Sequence, residues 1–230
     1  MRDKRPRCYF SLRSPYSWLA CHDLTAGRPD LLDELRWTPY WEPDELTERL
    51  LREAGGEFHY SAMPKAKHLY VLQDVRRLAA ARGLRPTWPV DREPHWEVPH
   101  LAYLVAAELG CGHDFIRAMH RARWELGLDI CQPETVAAAA AELGLDPDDL
   151  VGAPQDPAVR AAGVAALLDC DRAGVFGVPF YTNGFQKFWG VDRLAAFLDS
   201  LGGKPEPVAT VAAVPAPVRH GDDGHAGGCG

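Results

Sequence analysis

The order of strand and helix patterns along this chain predicts an α/β fold. A β-α-β pattern opens the chain, and a β-β-α pattern follows near its other end. Between the two lies a long stretch with apolar residues at helical spacing. Two such halves separated by helices are typical of a thioredoxin-like fold with an inserted α-helical domain, and this is the predicted architecture.

The first half is a strand, a helix and a second strand. An apolar run at residues 7–12, bounded by polar residues, predicts a strand buried on both faces. Ser14 and Pro15 are residue types preferred at the N-cap and the first position of a helix, and Gly27 ends that helix. Alternating apolar residues at 35–41 predict the second strand.

The middle of the chain is predicted to be almost entirely helical. A helical pattern follows Asp44, and Pro64 opens a longer one. Further helices are predicted over residues 98–109, 113–126, 133–143 and 156–174. The patterns assign residues 6–60 and 156–202 to the thioredoxin-like domain and residues 61–155 to the inserted helical domain.

A hairpin and a helix make up the second half. Residues 178–182 and 185–189 are its predicted strands, and Asn183-Gly184 is a hairpin turn signal. Residues 192–201 have the periodicity of a closing amphipathic helix. Residues 203–230 are rich in Gly, Pro, Ala and charge without periodicity, which predicts a disordered tail.

Composition excludes several classes of function. The formal net charge is -7, and the basic residues are not concentrated beyond a short N-terminal cluster, so no nucleic-acid partner is expected. No apolar run approaches the roughly 18 to 20 residues that span a bilayer, so no membrane partner is expected either. Without a secretory signal pattern, the expected location is cytoplasmic.

The cysteines and histidines predict neither a dithiol nor a metal site. The six cysteines contain no C-x-x-C pair, and the nine histidines lack helical ligand spacing beside a carboxylate. Most of the cysteines are expected to be small packed residues. Cys21, about one helical turn after Ser17, is expected to be packed rather than reactive.

Ser14 is the first candidate for chemistry. A helix N-terminus offers unpaired amide donors and the positive end of the helix dipole, which stabilise a thiolate or carboxylate placed there. Serine forms no disulfide, but its hydroxyl can donate a hydrogen bond to an external thiolate and lower the pKa of that thiol. The alternative is that Ser14 is only a helix cap.

Pro179 is the second candidate, because it begins a strand that should be central, where proline cannot donate a ladder hydrogen bond. A cis bond there would leave the backbone of Val178 free to pair with an extended ligand. The alternative is an ordinary turn proline. Asp192 is placed to cap the last helix, and it is equally suited to bind the ammonium group of a ligand.

Four motifs in this order resemble the 2-hydroxychromene-2-carboxylate isomerase family, which is close to kappa-class glutathione transferases in the DsbA-like thioredoxin superfamily. The motifs are residues 10–20, the Pro64-Lys65 helix start with Tyr70, Asp74 and Arg77, residues 174–179, and residues 188–194. The resemblance implies that Ser14 is the catalytic residue and binds the sulfur of glutathione. It also implies that Val178 and Pro179 bind the glutathione backbone and that Asp192 binds its γ-glutamyl end.

The same resemblance implies a thiol-dependent cis-trans isomerisation of an aromatic α-keto acid, in which thiolate adds to a conjugated alkene, the new single bond rotates and elimination restores the alkene. Cationic or hydrogen-bonding partners for the developing enolate are sought near the start of the long helix, at His59, Tyr60, Lys65 and Lys67. The small-molecule partner is thus an aromatic or polyketide-like conjugated carbonyl compound. The resemblance is also compatible with a homodimer, because related proteins commonly pair.

Two departures from the family pattern bear on specificity. The Asn-x-Pro-Pro loop of the family is replaced by residues 57–63, which lack the asparagine that positions the aromatic substrate, and Val191 replaces a polar residue beside Asp192. The thiol is therefore either glutathione or another low-molecular-weight thiol. The alternatives in function are a kappa-like glutathione transferase or peroxidase, and a non-enzymatic binding module in a biosynthetic pathway.

Overall fold

The sheet has four short strands in the order β2-β1-β3-β4. The computed structural model describes residues 5–59 and 63–202, and its strands are β1 (Arg7–Phe10), β2 (Arg36–Pro39), β3 (Phe180–Asn183) and β4 (Gln186–Trp189). β1 is parallel to β2 and antiparallel to β3, which is antiparallel to β4. This is the predicted thioredoxin-like arrangement.

The helices account for most of the described residues. They are α1 (Pro15–Gly27), α2 (Glu45–Glu53), α3 (Lys65–Ala80), α4 (Glu97–Glu108), α5 (Gly112–Trp124), α6 (Pro133–Glu142), α7 (Pro147–Val151), α8 (Pro157–Ala173) and α9 (Leu194–Gly202). Short 3-10 turns lie at Pro29–Leu31, Ala153–Gln155 and Val191–Arg193. Among the described residues, seven helices, α2 to α8, therefore lie between the two halves of the sheet, and α3 to α7 fall within the predicted helical insertion.

Each face of the sheet is covered by different helices. Tyr9 and Phe180 pack with Cys170 of α8 on one face. Cys8 and Tyr181 pack with α1 and α9 on the other, where Tyr181 stacks on Phe197 with ring centroids 4.8 Å apart. Neighbouring residues of a strand point to opposite faces, so β1 and β3 each contribute to both cores.

The inserted helices share a core with the end of β1. Phe10 meets Tyr103 of α4 edge to face at 4.9 Å, and Phe10 and Leu12 belong to one buried cluster with residues of α4, α5 and α8. The chain just before Ser14 is therefore held by the helical segment as well as by the sheet. The assignment of residues 61–155 to a domain of their own stays a prediction, and the predicted tail lies outside the described residues.

The hairpin turn lies one residue later than predicted. Asn183 pairs with Gln186, so the two-residue turn is Gly184 and Phe185 rather than Asn183-Gly184. Gly184 has a φ of 60°, which favours glycine. The side-chain amide of Asn183 donates to the carbonyl of Ser200 on α9 at 2.9 Å, which explains why this asparagine stays in the strand.

Within residues 5–59 and 63–202, no helix combines the length and the apolar character needed to cross a bilayer.

We expect Phe197→Ala to lower the free energy of unfolding by about 3–5 kcal/mol, because it leaves a cavity beside Tyr181. Phe197 is fully buried, whereas Phe185 is fully exposed at the hairpin turn. The matched substitution Phe185→Ala should change the free energy by less than about 0.5 kcal/mol. Urea unfolding followed by circular dichroism measures both, and equal effects would contradict this packing.

Candidate active site

Ser14 caps α1, as predicted. Its backbone is extended, with φ -84° and ψ 123°, and its Oγ accepts the amide hydrogen of Ser17 at 3.2 Å. The Ser14 carbonyl accepts from the Trp18 amide at 3.1 Å, which starts the helix. Pro15 takes the first helical position, where a missing N–H costs nothing. The Ser14 side chain is partly exposed, so its hydroxyl lies at an accessible helix N-terminus.

The Ser14 hydroxyl faces the loop before β3. Its Oγ donates to the carbonyl oxygen of Val178 at 3.4 Å, and the peptide bond between Val178 and Pro179 is cis, as predicted. The paired register of β3 begins only at Phe180. The main chain of Val178 therefore lies beyond the ladder, beside the hydroxyl.

Asp192 does not cap the last helix, contrary to prediction. It lies in the Val191–Arg193 turn before α9, without a side-chain capping bond, and its exposed carboxylate pairs with Arg193 at 2.9 Å. Gly190, with a φ of 102°, brings this turn to the site: its amide donates to the Pro179 carbonyl at 2.9 Å. A Cβ on Gly190 would lie 2.6 Å from Asp192 Oδ1. The carboxylate is thus close to the cis-proline loop.

Helix α3 is joined to the start of α1 by a polar network around Asp74. The Tyr16 hydroxyl, two residues after Ser14, donates to Asp74 Oδ2 at 2.9 Å. Tyr70 and Arg77 bind Oδ1 at 3.4 and 3.0 Å. Burial and the neighbouring carboxylate raise the pKa of Tyr16. This network therefore holds α3, whose N-terminal end is exposed, against α1.

Three of the four predicted substrate-binding residues, His59, Lys65 and Lys67, lie in the part of the chain that the structure describes. His59 is exposed, and its ring contacts Asp171 of α8 at 3.2 Å while its carbonyl accepts from the Tyr40 hydroxyl. Lys65 and Lys67 lie exposed in the first turn of α3. Tyr60 lies outside the described residues. Their role in substrate binding stays a prediction.

Sequence patterns did not point to the residues behind the Ser14 turn. Ser11 is buried, and its carbonyl accepts from the Ser14 amide at 3.1 Å. Two buried histidines of the helical segment contact Ser11. Nε2 of His100 on α4 lies 3.2 Å from Ser11 Oγ, and Nε2 of His120 on α5 lies 3.4 Å from Ser11 O. No local signal marks them, because these contacts join residues that are 89 and 109 positions apart.

An exposed aromatic pair beside Val178 was also missed. Phe176 and Trp189 meet edge to face with centroids 4.9 Å apart, although both are about half exposed. Trp189 lies over Gly177, where a Cβ would come within 2.8 Å of Nε1. Glycine is therefore needed for the tryptophan to cover this loop. The only signal in the sequence was the aromatic content of the motifs at residues 174–179 and 188–194.

Four of the five described cysteines are packed rather than poised for reaction. Cys8, Cys21, Cys131 and Cys170 are buried and form no disulfide. Burial raises the pKa of Cys21 and, together with Asp129, raises that of Cys131 to about 12. Thiolate is the reactive form, so these thiols are poor nucleophiles. This agrees with the expectation for Cys21.

Among the described residues, three side chains of types that bind metal ions lie close together, although the sequence had not suggested this group. Atoms of Asp44, His95 and Glu97 lie within 4.8 Å of one another. Asp44 is already bound by Arg160 at 2.8 Å, and Glu97 Oε1 accepts the Asp44 amide at 2.6 Å. Because a guanidinium and an amide already occupy these oxygens, the arrangement is explained as an ion pair and a helix-start contact.

The fold and the site define the class of the protein. The family model of the DsbA-like thioredoxin domain matches residues 7–202. The chain belongs to this family.

Among individual proteins, the chain is similar to 2-hydroxychromene-2-carboxylate isomerase from Sphingobium xenophagum. The two are 29% identical over 194 residues, which cover 84% of this chain and 94% of that protein. This similarity confirms the resemblance noted from the four motifs.

Two solved structures show the same fold. A 2-hydroxychromene-2-carboxylate isomerase structure has a TM-score of 0.68 and 20% identity, covering 86% of this chain and 94% of its own. A probable DsbA oxidoreductase from Streptomyces coelicolor has a TM-score of 0.64 and 19% identity, covering 91% and 94%.

We expect Cys21 to resist alkylation in the folded protein. Its thiol is buried and its pKa is raised, whereas Cys111 is only partly buried. Iodoacetamide labelling with peptide mass spectrometry should show slow modification at Cys21 and faster modification at Cys111, with the difference abolished in urea. Equal native rates at the two positions would show that Cys21 is reactive.

We expect acid to destabilise the fold through His100 and His120. Burial lowers the pKa of His100 to about 3 and that of His120 to about 4, below the ordinary value of 6.5. Below about pH 6.5 the unfolded chain therefore binds more protons than the folded one. The free energy of unfolding should fall with falling pH, by up to about 1.4 kcal/mol per unit for each histidine.

Urea unfolding between about pH 7 and pH 5 measures this fall. Histidine proton shifts in the native protein provide the direct control, because the signals of these two rings should not titrate in that range. A native His100 signal that titrates at its ordinary pKa would contradict the expectation.

Proposed function

We propose that this chain is a thiol-dependent cis-trans isomerase that acts on an aromatic or polyketide-like conjugated carbonyl compound. The thiol is glutathione or another low-molecular-weight thiol. The observation that carries the proposal is the Ser14 hydroxyl at the N-terminus of α1, 3.4 Å from the Val178 carbonyl of the cis-proline loop. The similarity to a protein named as an isomerase supports the reaction type.

The residues at this place fit a thiol that carries a peptide-like body. The Ser14 oxygen already accepts the Ser17 amide, so its own hydrogen is free to turn from Val178 towards a sulfur anion. Positive potential at the helix N-terminus adds to this stabilisation. The Val178 main chain lies beyond the ladder and suits pairing with a ligand amide. The exposed Asp192 carboxylate is suited to an ammonium group.

A bound thiol would supply a nucleophile that adds reversibly to the conjugated alkene, so that rotation about the resulting single bond exchanges the two isomers. Ser14 keeps the sulfur ionised by donating a hydrogen bond, which favours the anionic form. Lys65 and Lys67, at the exposed start of α3, are the proposed cations for the enolate charge that develops on the substrate.

The substrate's aromatic part has an apolar surface available beside the same loop. Phe176 and Trp189 expose about half of their side chains next to Val178. Offset and edge-to-face contacts with a flat ring are favourable for such side chains. His59 and Tyr60 complete the proposed substrate contacts from the segment before α3.

Dithiol oxidoreductase chemistry is not proposed, although one structural neighbour is named as a probable DsbA oxidoreductase. Ser14 and Ser17 occupy the start of α1, and serine forms neither a disulfide nor a mixed disulfide. Cys21, the thiol of the same helix, is buried.

We expect Ser14→Ala to weaken the binding of reduced glutathione, because a hydrogen bond to a charged group is lost. A loss of about 1.5–3 kcal/mol corresponds to roughly a 10- to 150-fold higher Kd. Isothermal titration calorimetry measures it, with Ser200→Ala on α9 as the matched control. Ser200 bonds to Phe197 and Asn183, away from the Ser14 turn, so this control should retain full affinity.

Product analysis separates the proposed reaction from its alternatives. With 2-hydroxychromene-2-carboxylate and glutathione, the isomerase should give a product of unchanged mass and different retention time, and Ser14→Ala should abolish most of the rate. A stable thiol adduct in the mass spectrum would instead indicate a kappa-like transferase. A wild-type protein that binds glutathione but changes neither mass nor geometry would indicate a binding module.

A further inference from the structure

The short turn before α1 depends on Ser11, which uses all of its polar groups. The Ser11 amide donates to Ser17 Oγ at 3.2 Å, and Ser11 Oγ accepts from the Arg13 amide at 3.3 Å. The Ser11 carbonyl accepts from the Ser14 amide at 3.1 Å. Ser11 therefore ties the last residue of the turn, Ser14, to the first turn of the helix. Both Ser11 and Ser17 are buried, so water cannot replace these bonds.

His100 supports the turn from α4 through one defined tautomer. Its Nδ1 lies 2.7 Å from the Trp96 carbonyl, which can only accept, so Nδ1 carries the proton. Its Nε2 is then an acceptor, 3.1 Å from the Leu12 amide and 3.2 Å from the Ser11 hydroxyl. Trp41 stacks on the imidazole at 5.3 Å with an interplanar angle of 11°. The ring is thus held in place and in one protonation state.

His120 completes the support from α5. Its Nε2 lies 3.4 Å from the Ser11 carbonyl, the same oxygen that accepts from the Ser14 amide. Two helices, α4 and α5, therefore each supply a buried histidine that contacts Ser11. The Ser11 hydroxyl donates its hydrogen bond to Nε2 of His100, and the Ser11 oxygen accepts a hydrogen bond from the Arg13 amide.

We propose that His100 is a positioning residue for the thiol site: through Ser11 and Leu12 it fixes the turn that aims the Ser14 hydroxyl. The proposal rests on the thiol-binding part of the proposed function. Without the imidazole acceptor, the buried Leu12 amide loses its partner and the Ser11 hydroxyl loses its direction, so the turn relaxes. Ser14 then keeps its side chain but aims it less well at a bound sulfur.

The test is the pKa of glutathione bound to the protein, followed by the ultraviolet absorbance of the thiolate. We expect His100→Leu to raise this pKa by about one unit, which is a tenfold loss of the thiolate at a given pH below the pKa. His100→Gln should restore much of the wild-type value, because its side-chain oxygen can accept where Nε2 does. Val136→Ala, which removes part of a fully buried residue of α6, destabilises the core without touching the turn and should leave the pKa unchanged.

The outcomes separate this inference from the proposed function. If the wild type does not bind glutathione as a thiolate, the proposed function fails and the inference fails with it. If the wild type does so and Ser14→Ala loses the thiolate, a folded His100→Leu with an unchanged pKa overturns the inference alone. Should His100→Leu not fold, His100→Phe decides: it keeps a ring against Trp41 but offers no acceptor to Ser11 or Leu12, and a wild-type pKa in this variant would also overturn the inference.

Discussion

The site depends on the hydrogen bonds that fix the turn between β1 and α1. The Ser11 carbonyl binds the Ser14 amide, and the Ser14 oxygen binds the Ser17 amide, so one residue both closes the turn and caps the helix. Ser11 and Ser17 are buried, so water cannot replace these hydrogen bonds. The turn is therefore fixed with the Ser14 hydroxyl pointing at Val178. The apolar end of β1, wedged among the inserted helices, holds the whole turn in place.

The thioredoxin-like core brings the second part of the site to the same edge. β3 runs antiparallel to β1, so its start lies beside the end of β1, and the cis-proline loop meets the helix N-terminus. β4 then returns to the same edge and delivers Trp189, Gly190 and Asp192. Three distant stretches of the chain thus form one polar and aromatic surface around a single hydroxyl. A serine in this place is suited to binding a sulfur anion but cannot exchange disulfides.

Sequence reasoning succeeded where the signal was local. Ser14 and Pro15 predicted the helix start, and the awkward Pro179 predicted a special bond before a central strand. It failed for Asp192, where a 3-10 turn after the positive φ of Gly190 replaces the expected cap. The hairpin turn was predicted one residue too early. The Asn183 side chain is bound to Ser200 of α9, and no local pattern shows a contact with such a distant helix.

The sequence by itself determined the order of the elements, the serine at the helix start and the absence of a C-x-x-C pair. These follow from residue type and spacing within a few positions. Tertiary structure alone decided that His100 and His120 are neutral supports of the turn and that Phe176 and Trp189 meet beside it. The physical reason is that burial, protonation state and direction of a hydrogen bond depend on neighbours that only folding brings near.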